Sequence, residues 1–225
     1  MNFLSHYYFE RHNQNSNVVI GTILPDLVKN AEKEWNLFPQ KNEKLFNKDL
    51  QLNSLLEGWK RHLEVDIIFH SSDFFNEQMA KLKQLLLPIL KNSPVRPFFL
   101  SHIGVELVLD HLLVTNGKIN IYNLYDHLDA VNDSELNTFL NKCGYEDTSH
   151  FFKFLNNFKS SRYLHSYQKL ESISYALQRI CMRLWNNPFN EETSALLTEQ
   201  LAIYKLILEK DYFDIFKEIE TKLNK

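Results

Sequence analysis

Two stretches of the chain combine histidines and carboxylates at a spacing of four residues. In "LSHIGVELVLDHLL", residues 100–113, His102, Glu106 and Asp110 recur among apolar side chains. Side chains four apart in an α-helix lie about 40° from one another around the axis, so these three share one strip. The remaining circumference is apolar, which predicts an interior helix. Two acids on a buried strip need partners, because an unpaired buried carboxylate is costly.

The stretch "GWKRHLEVDIIFHSSD", residues 58–73, repeats this geometry with His62, Asp66 and His70. Imidazole and carboxylate together suit Mn²⁺, Fe²⁺ or Zn²⁺, and facing helices of a bundle can hold such ions. We therefore predict a mono- or dinuclear metal site. Its candidate ligands are His62, Asp66, His70, His102, Glu106 and Asp110. Two alternatives stay open: His70 as a cap favoured by a helix C-terminus, and a buried network of ion pairs without a metal.

Three further residues are candidates for catalysis, each with a structural alternative. His6 in "NFLSHYY" either joins the site or packs within an N-terminal aromatic helix. Asp26 follows Pro25 at an expected helix start, where the helix dipole alone favours an acid. His111 lies about 100° from Asp110 around the helix, so it either orients a ligand or packs.

The elements that must position these residues are helices. Only 5 glycines and 6 prolines interrupt 225 residues, and apolar residues recur at spacings of three and four. We predict an all-α, compact multi-helix bundle forming a single domain over residues 1–225, with the motifs in 1–114 and a helical part in 115–225. The expected helices are 2–11, 24–31, 53–70, 73–90, 97–114, 121–131, 134–142, 149–158, 171–185 and 191–208.

Composition excludes several classes of partner. The net charge is −3, and no basic stripe alternates with aromatic residues, so nucleic acid is not an expected partner. No signal-peptide pattern is present and no uninterrupted apolar run approaches the ~18 residues of a membrane span. We expect a cytoplasmic protein that does not contact membranes. Cys143 and Cys181 lie far apart in the sequence, which fits core residues rather than a disulfide framework or a thiolate metal site.

Four motifs, taken in order, resemble a known family. "MNFLSHYYF", "GTILPDLVKN", "GWKRHLEVD" and "ELVLDHLL" together are similar to the acyl carrier protein phosphodiesterase (ACP hydrolase) family, over residues 1–114. The resemblance implies an all-helical fold related to HD-domain metal phosphohydrolases. It also implies a manganese-type centre, with zinc or iron as alternatives. The implied reaction is hydrolysis, by a metal-activated water, of the phosphodiester joining 4′-phosphopantetheine to a serine of acyl carrier protein.

The resemblance extends to individual positions. His6 matches the histidine of the family's N-terminal motif, and Asp26 the aspartate of its second motif. His62 and Asp66 match its His-X-X-X-Asp, while Asp110 and His111 match its Asp-His. The chain departs from the family pattern at Leu63 and Glu64, where basic residues are usual, and at Phe69, His70 and Glu106. A metal-dependent hydrolase of another, small phosphoester and a non-catalytic helical interaction protein are therefore kept as alternatives.

Overall fold

The computed structural model describes residues 1–224, and in this range every regular element is helical. The predicted all-α class is therefore confirmed, whereas the HD-domain-like arrangement stays a prediction. The eleven α-helices within this range are α1 (Phe3–Glu10), α2 (Ser16–Ala31), α3 (Leu50–His70), α4 (Asp73–Leu86), α5 (Pro97–Thr115), α6 (Ile121–Ala130), α7 (Asp133–Lys142), α8 (Ser149–Ser161), α9 (Leu170–Met182), α10 (Glu191–Leu208) and α11 (Tyr212–Leu223). Short 3₁₀ segments lie at Pro39–Lys41, Glu43–Leu45 and Tyr163–Gln168.

Asparagine and serine side chains fix the starts of several helices. Asn15 accepts a hydrogen bond from the Asn17 amide at the start of α2, and Ser72 accepts one from the Phe75 amide at the start of α4. Asn190 does the same for the Thr193 amide at α10. Each side chain satisfies an amide that has no partner within its helix.

The structure differs most from the expected helices at α2 and α11. Helix α2 begins at Ser16, eight residues before the predicted start, and Pro25 lies inside it rather than in its first turn. The Asn15 cap and the buried run Val18–Leu24 hold this helix despite the hydrogen bond that a proline removes. Helix α11 was not predicted, although its buried residues Tyr212, Ile215, Phe216 and Ile219 have helical spacing.

Contacts within the chain group into two units. The N-terminal unit comprises residues 3–66 and 119–164, and the C-terminal unit comprises residues 1–2, 67–118 and 165–224. In the N-terminal unit α2 packs against α1, α6 and α8. In the C-terminal unit α5 packs against α4, α9 and α10. The expected single domain is not tested by this grouping and stays a prediction.

Helix α5 forms much of the core of the C-terminal unit. Nearly all of its residues from Leu100 to Leu113 are buried, as predicted for an interior helix, and they include Glu106, Asp110 and His111. Helix α5 is also long and apolar enough to cross a membrane, with a mean hydropathy of 1.5. This finding differs from the expectation that no segment of the chain could span a membrane. A core helix passes the same test, and 67% of the window is buried in the structure.

Candidate metal centre

A close crossing of α2 and α3 positions the first group of candidate residues. A Cβ atom on Gly58 would lie 2.1 Å from the Val18 carbonyl oxygen and 2.7 Å from Gly21 Cα. Only glycine fits at such a backbone-to-backbone contact. Thr22 follows Gly21 directly and His62 lies one turn after Gly58, so the crossing brings both residues together. The Nδ1 atom of His62 lies 2.8 Å from the Thr22 carbonyl oxygen.

His6, His62 and Asp66 form the first triad, which lies in the N-terminal unit. One potential ligand atom from each lies within 4.8 Å of those of the other two. The Nε2 atom of His6 is 3.3 Å from Asp66 Oδ1, and the Nε2 atom of His62 is 3.5 Å from Asp66 Oδ2. The two imidazole rings stack, with centroids 3.7 Å apart. Both histidines are buried, while the Asp66 side chain is 30% exposed.

The electrostatics of this triad follow from burial and from the shared carboxylate. Burial and the neighbouring His62 lower the pKa of His6 to about 3, against the opposing effect of Asp66. Burial alone would lower the pKa of His62, but the hydrogen bond to Asp66 and the charge of Asp26 raise it. Burial would raise the pKa of Asp66, yet the contacts with His6 and His62 hold it well below its usual range. At neutral pH Asp66 is therefore an anion and His6 a neutral imidazole.

His70, His102 and Glu106 form the second triad, which lies in the C-terminal unit. The Nε2 atoms of His70 and His102 are 3.1 and 3.2 Å from Glu106 Oε1. The backbone nitrogen of Met1 lies 3.4 Å from the same oxygen. Burial opposes ionisation of Glu106, but this nitrogen and the hydrogen bonds from the two imidazoles hold its pKa well below the ordinary value.

The donor sets of both triads fit a divalent metal ion. Two ligands about 2.1 Å from one metal lie roughly 3.0–3.5 Å apart in octahedral or tetrahedral geometry, and the contacts above fall in that range. Neither ring nitrogen of the buried His6 has a hydrogen-bond partner among residues 1–224. A bound metal ion would supply the partner that this imidazole lacks. The His62–Thr22 contact is the bond through which metal-binding histidines are commonly oriented.

The remaining candidates lie outside the two triads. Asp110 is fully buried on α5 and belongs to neither group within the described residues. His111 is buried, and its Nδ1 donates to the Tyr167 carbonyl oxygen at 2.8 Å. Burial lowers the pKa of His111. Asp26 is partly exposed on α2, close enough for its charge to act on His62. The roles predicted for all three residues stay predictions.

Sequence reasoning missed the backbone contribution to the first triad. Thr22 acts through its carbonyl oxygen, and no side-chain pattern signals such a role. The nearby basic residues are engaged with acids: Lys60 Nζ lies 2.7 Å from Glu43 Oε1, and Arg61 Nε lies 3.1 Å from Glu10 Oε1.

The fold and site together define an all-α protein with buried histidine and carboxylate groups able to hold divalent metal ions. The family model for acyl carrier protein phosphodiesterase matches residues 1–219, so the chain belongs to that family. Membership implies a hydrolase that acts on a phosphodiester, and the family name implies acyl carrier protein as the substrate. No match was found among curated proteins or among solved structures.

Proposed function

We propose that this protein hydrolyses the phosphodiester between 4′-phosphopantetheine and a serine of acyl carrier protein, with a divalent cation, manganese in the first instance, bound by His6, His62 and Asp66. Family membership supports the substrate, and the convergence of these three side chains supports the cation. A cation held there supplies Lewis-acid chemistry: it lowers the pKa of water and offsets negative charge on phosphate oxygens.

The chain's own residues prepare this site for a cation. His62 gives its Nδ1 hydrogen to Thr22, so Nε2, which faces Asp66, is the nitrogen that could bind a cation after losing its own hydrogen. Burial keeps His6 neutral at pH 7, the form in which imidazole is a ligand. His6 is therefore assigned to binding the cation rather than to donating a proton.

Proton transfer is assigned to a carboxylate near the triad. The Asp26 carboxylate, whose charge reaches His62, is the proposed acceptor of a proton from the attacking water. The protonated Asp26 carboxyl group can then return this proton to the serine oxygen that leaves phosphorus, which closes the proton balance.

The test is direct conversion of a defined substrate. Purified protein is incubated with holo acyl carrier protein and Mn²⁺, and intact-mass spectrometry follows the carrier protein. The expected result is apo carrier protein plus free 4′-phosphopantetheine, with no product when Asp66 is replaced by Asn. Unchanged holo carrier protein, with turnover of other phosphodiesters in the same preparation, would overturn the substrate but keep the hydrolase. No turnover of any phosphoester by a metal-loaded preparation would overturn the enzyme itself.

A further inference from the structure

We propose that His70, His102 and Glu106 form a second cation site, separate from the His6, His62 and Asp66 triad and selective for borderline ions such as Zn²⁺, Co²⁺ or Fe²⁺. The two triads share no residue. The proposal concerns binding alone, so it does not rest on the proposed hydrolysis.

The proposal of a second cation site rests on the distances between the potential ligand atoms. The Nε2 atoms of His70 and His102 approach the same oxygen of Glu106, at 3.1 and 3.2 Å. These separations are the edges expected for ligands about 2.1 Å from a shared zinc or iron ion. One ligand atom from each of the three residues lies within 4.8 Å of those of the other two, and the rings of His70 and His102 have centroids 5.1 Å apart.

The types of ligand atom in the second triad determine which class of ion it should bind. Two imidazoles and one carboxylate, the same ligands as in the first triad, suit manganese, zinc, iron or cobalt, whereas Mg²⁺ and Ca²⁺ prefer sites built from oxygen. Glu106 is buried, and the backbone nitrogen of Met1 lies 3.4 Å from the oxygen that both imidazoles approach, so a bound cation would share this oxygen with that nitrogen or displace it.

The surroundings hold the imidazoles in place and leave room for further ligands. The ring of Phe75 meets His70 and His102 edge-on, with centroids 5.0 Å from each, which restricts both rings. The side chains of His70 and His102 are 33% and 30% exposed, so water has access to the remaining coordination positions. A bound cation would cross-link the last turn of α3 to α5 and raise the stability of the C-terminal unit.

The test counts bound ions and uses the protein without any carrier protein. Metal-free full-length protein is dialysed against Zn²⁺, and bound zinc is measured by inductively coupled plasma mass spectrometry. We expect two equivalents on the wild type and one on His102→Gln, on Glu106→Gln and on His62→Gln. His12→Gln, at an exposed histidine outside both triads, is the matched control and should keep two.

Two other outcomes distinguish failure of the second cation site from failure of the proposed function. Stoichiometry that is unchanged in both His102→Gln and Glu106→Gln would overturn the second site. A single equivalent that His102→Gln abolishes would keep the second site and contradict the catalytic one. Glu106→Gln preserves the shape of the side chain, so it decides the matter if His102→Gln does not fold.

Discussion

His62 donates its Nδ1 hydrogen to the main-chain carbonyl of Thr22 over 2.8 Å, and this bond leaves Nε2 facing Asp66. The contact exists because Gly21 and Gly58 let the backbones of α2 and α3 touch. A helix crossing therefore sets the orientation of a candidate metal ligand.

Replacing Gly58 with Ala tests this relationship. The added Cβ would lie 2.1 Å from the Val18 carbonyl oxygen, a backbone atom that can move only if the helices separate. We expect the free energy of unfolding to fall by at least about 3 kcal/mol, the upper end of overpacking costs. Urea titration followed by circular dichroism measures this loss.

Gly104→Ala is the matched control for the same substitution in a helix. There the new Cβ would meet the end of the Leu82 side chain at 2.7 Å, and that methyl group can rotate away. Alanine's higher helix propensity, about 1 kcal/mol, offsets the remaining contact. The change in free energy should stay within about 1 kcal/mol, and losses of equal size at both glycines would contradict the argument.

Replacing Asp66 with Asn should remove the negative charge that contacts both His6 and His62, while it keeps the shape of the side chain. We expect metal affinity to fall by at least about 100-fold, since even the loss of a residue that only supports a ligand costs 10- to 100-fold. Isothermal titration with Mn²⁺ measures the affinity, and the holo carrier protein assay measures turnover.

Glu57→Gln provides the comparison for this charge change. Glu57 is an exposed carboxylate on the same helix and belongs to neither triad. The Mn²⁺ affinity and the turnover of the Glu57→Gln variant should match those of the wild type. A comparable loss in both variants would show that the charge of α3, and not the triad, governs binding.

His111→Gln tests how far the contact with Tyr167 stabilises the fold. The imidazole is buried, and removing it leaves the Tyr167 carbonyl without its 2.8 Å donor. The free energy of unfolding should fall by about 1 kcal/mol, the net contribution of a typical intramolecular hydrogen bond. The catalytic role predicted for His111 from the sequence would add a loss of kcat larger than the folded fraction explains, and an unchanged kcat in the folded variant would contradict that role.

Alkylation of the cysteines should follow their burial. Burial raises the pKa of Cys143 and of Cys181 to about 12, so the reactive thiolate is about 10⁻⁴ of each thiol at pH 8. The rate at the partly accessible Cys143 should rise about tenfold per pH unit from 8 to 11, while fully buried Cys181 stays unreactive until the protein unfolds. Rapid labelling of both cysteines at pH 8, measured by mass spectrometry, would contradict this.

Local geometry was predictable from the sequence. Spacing of four residues placed His102 beside Glu106 and His62 beside Asp66, and the structure gives 3.2 and 3.5 Å for these pairs. Apolar residues around α5 predicted its burial. These features depend only on the period of the α-helix, which can be applied directly to the sequence.

Contacts between distant segments were not predictable in the same way. The stacking of His6 on His62 depends on how two helices pack, and the role of Thr22 depends on a carbonyl that every residue possesses. The proline at position 25 suggested a helix start, because proline is most common there, but the capping of Asn15 overrode that preference.

The central claim is that His6, His62 and Asp66 bind one divalent cation, and anomalous diffraction from crystals grown with Mn²⁺ tests it most directly. We expect a manganese peak about 2.0–2.3 Å from the Nε2 atoms of His6 and His62 and from a carboxylate oxygen of Asp66. Fully occupied manganese elsewhere in the protein, with no peak between these three side chains, would contradict it.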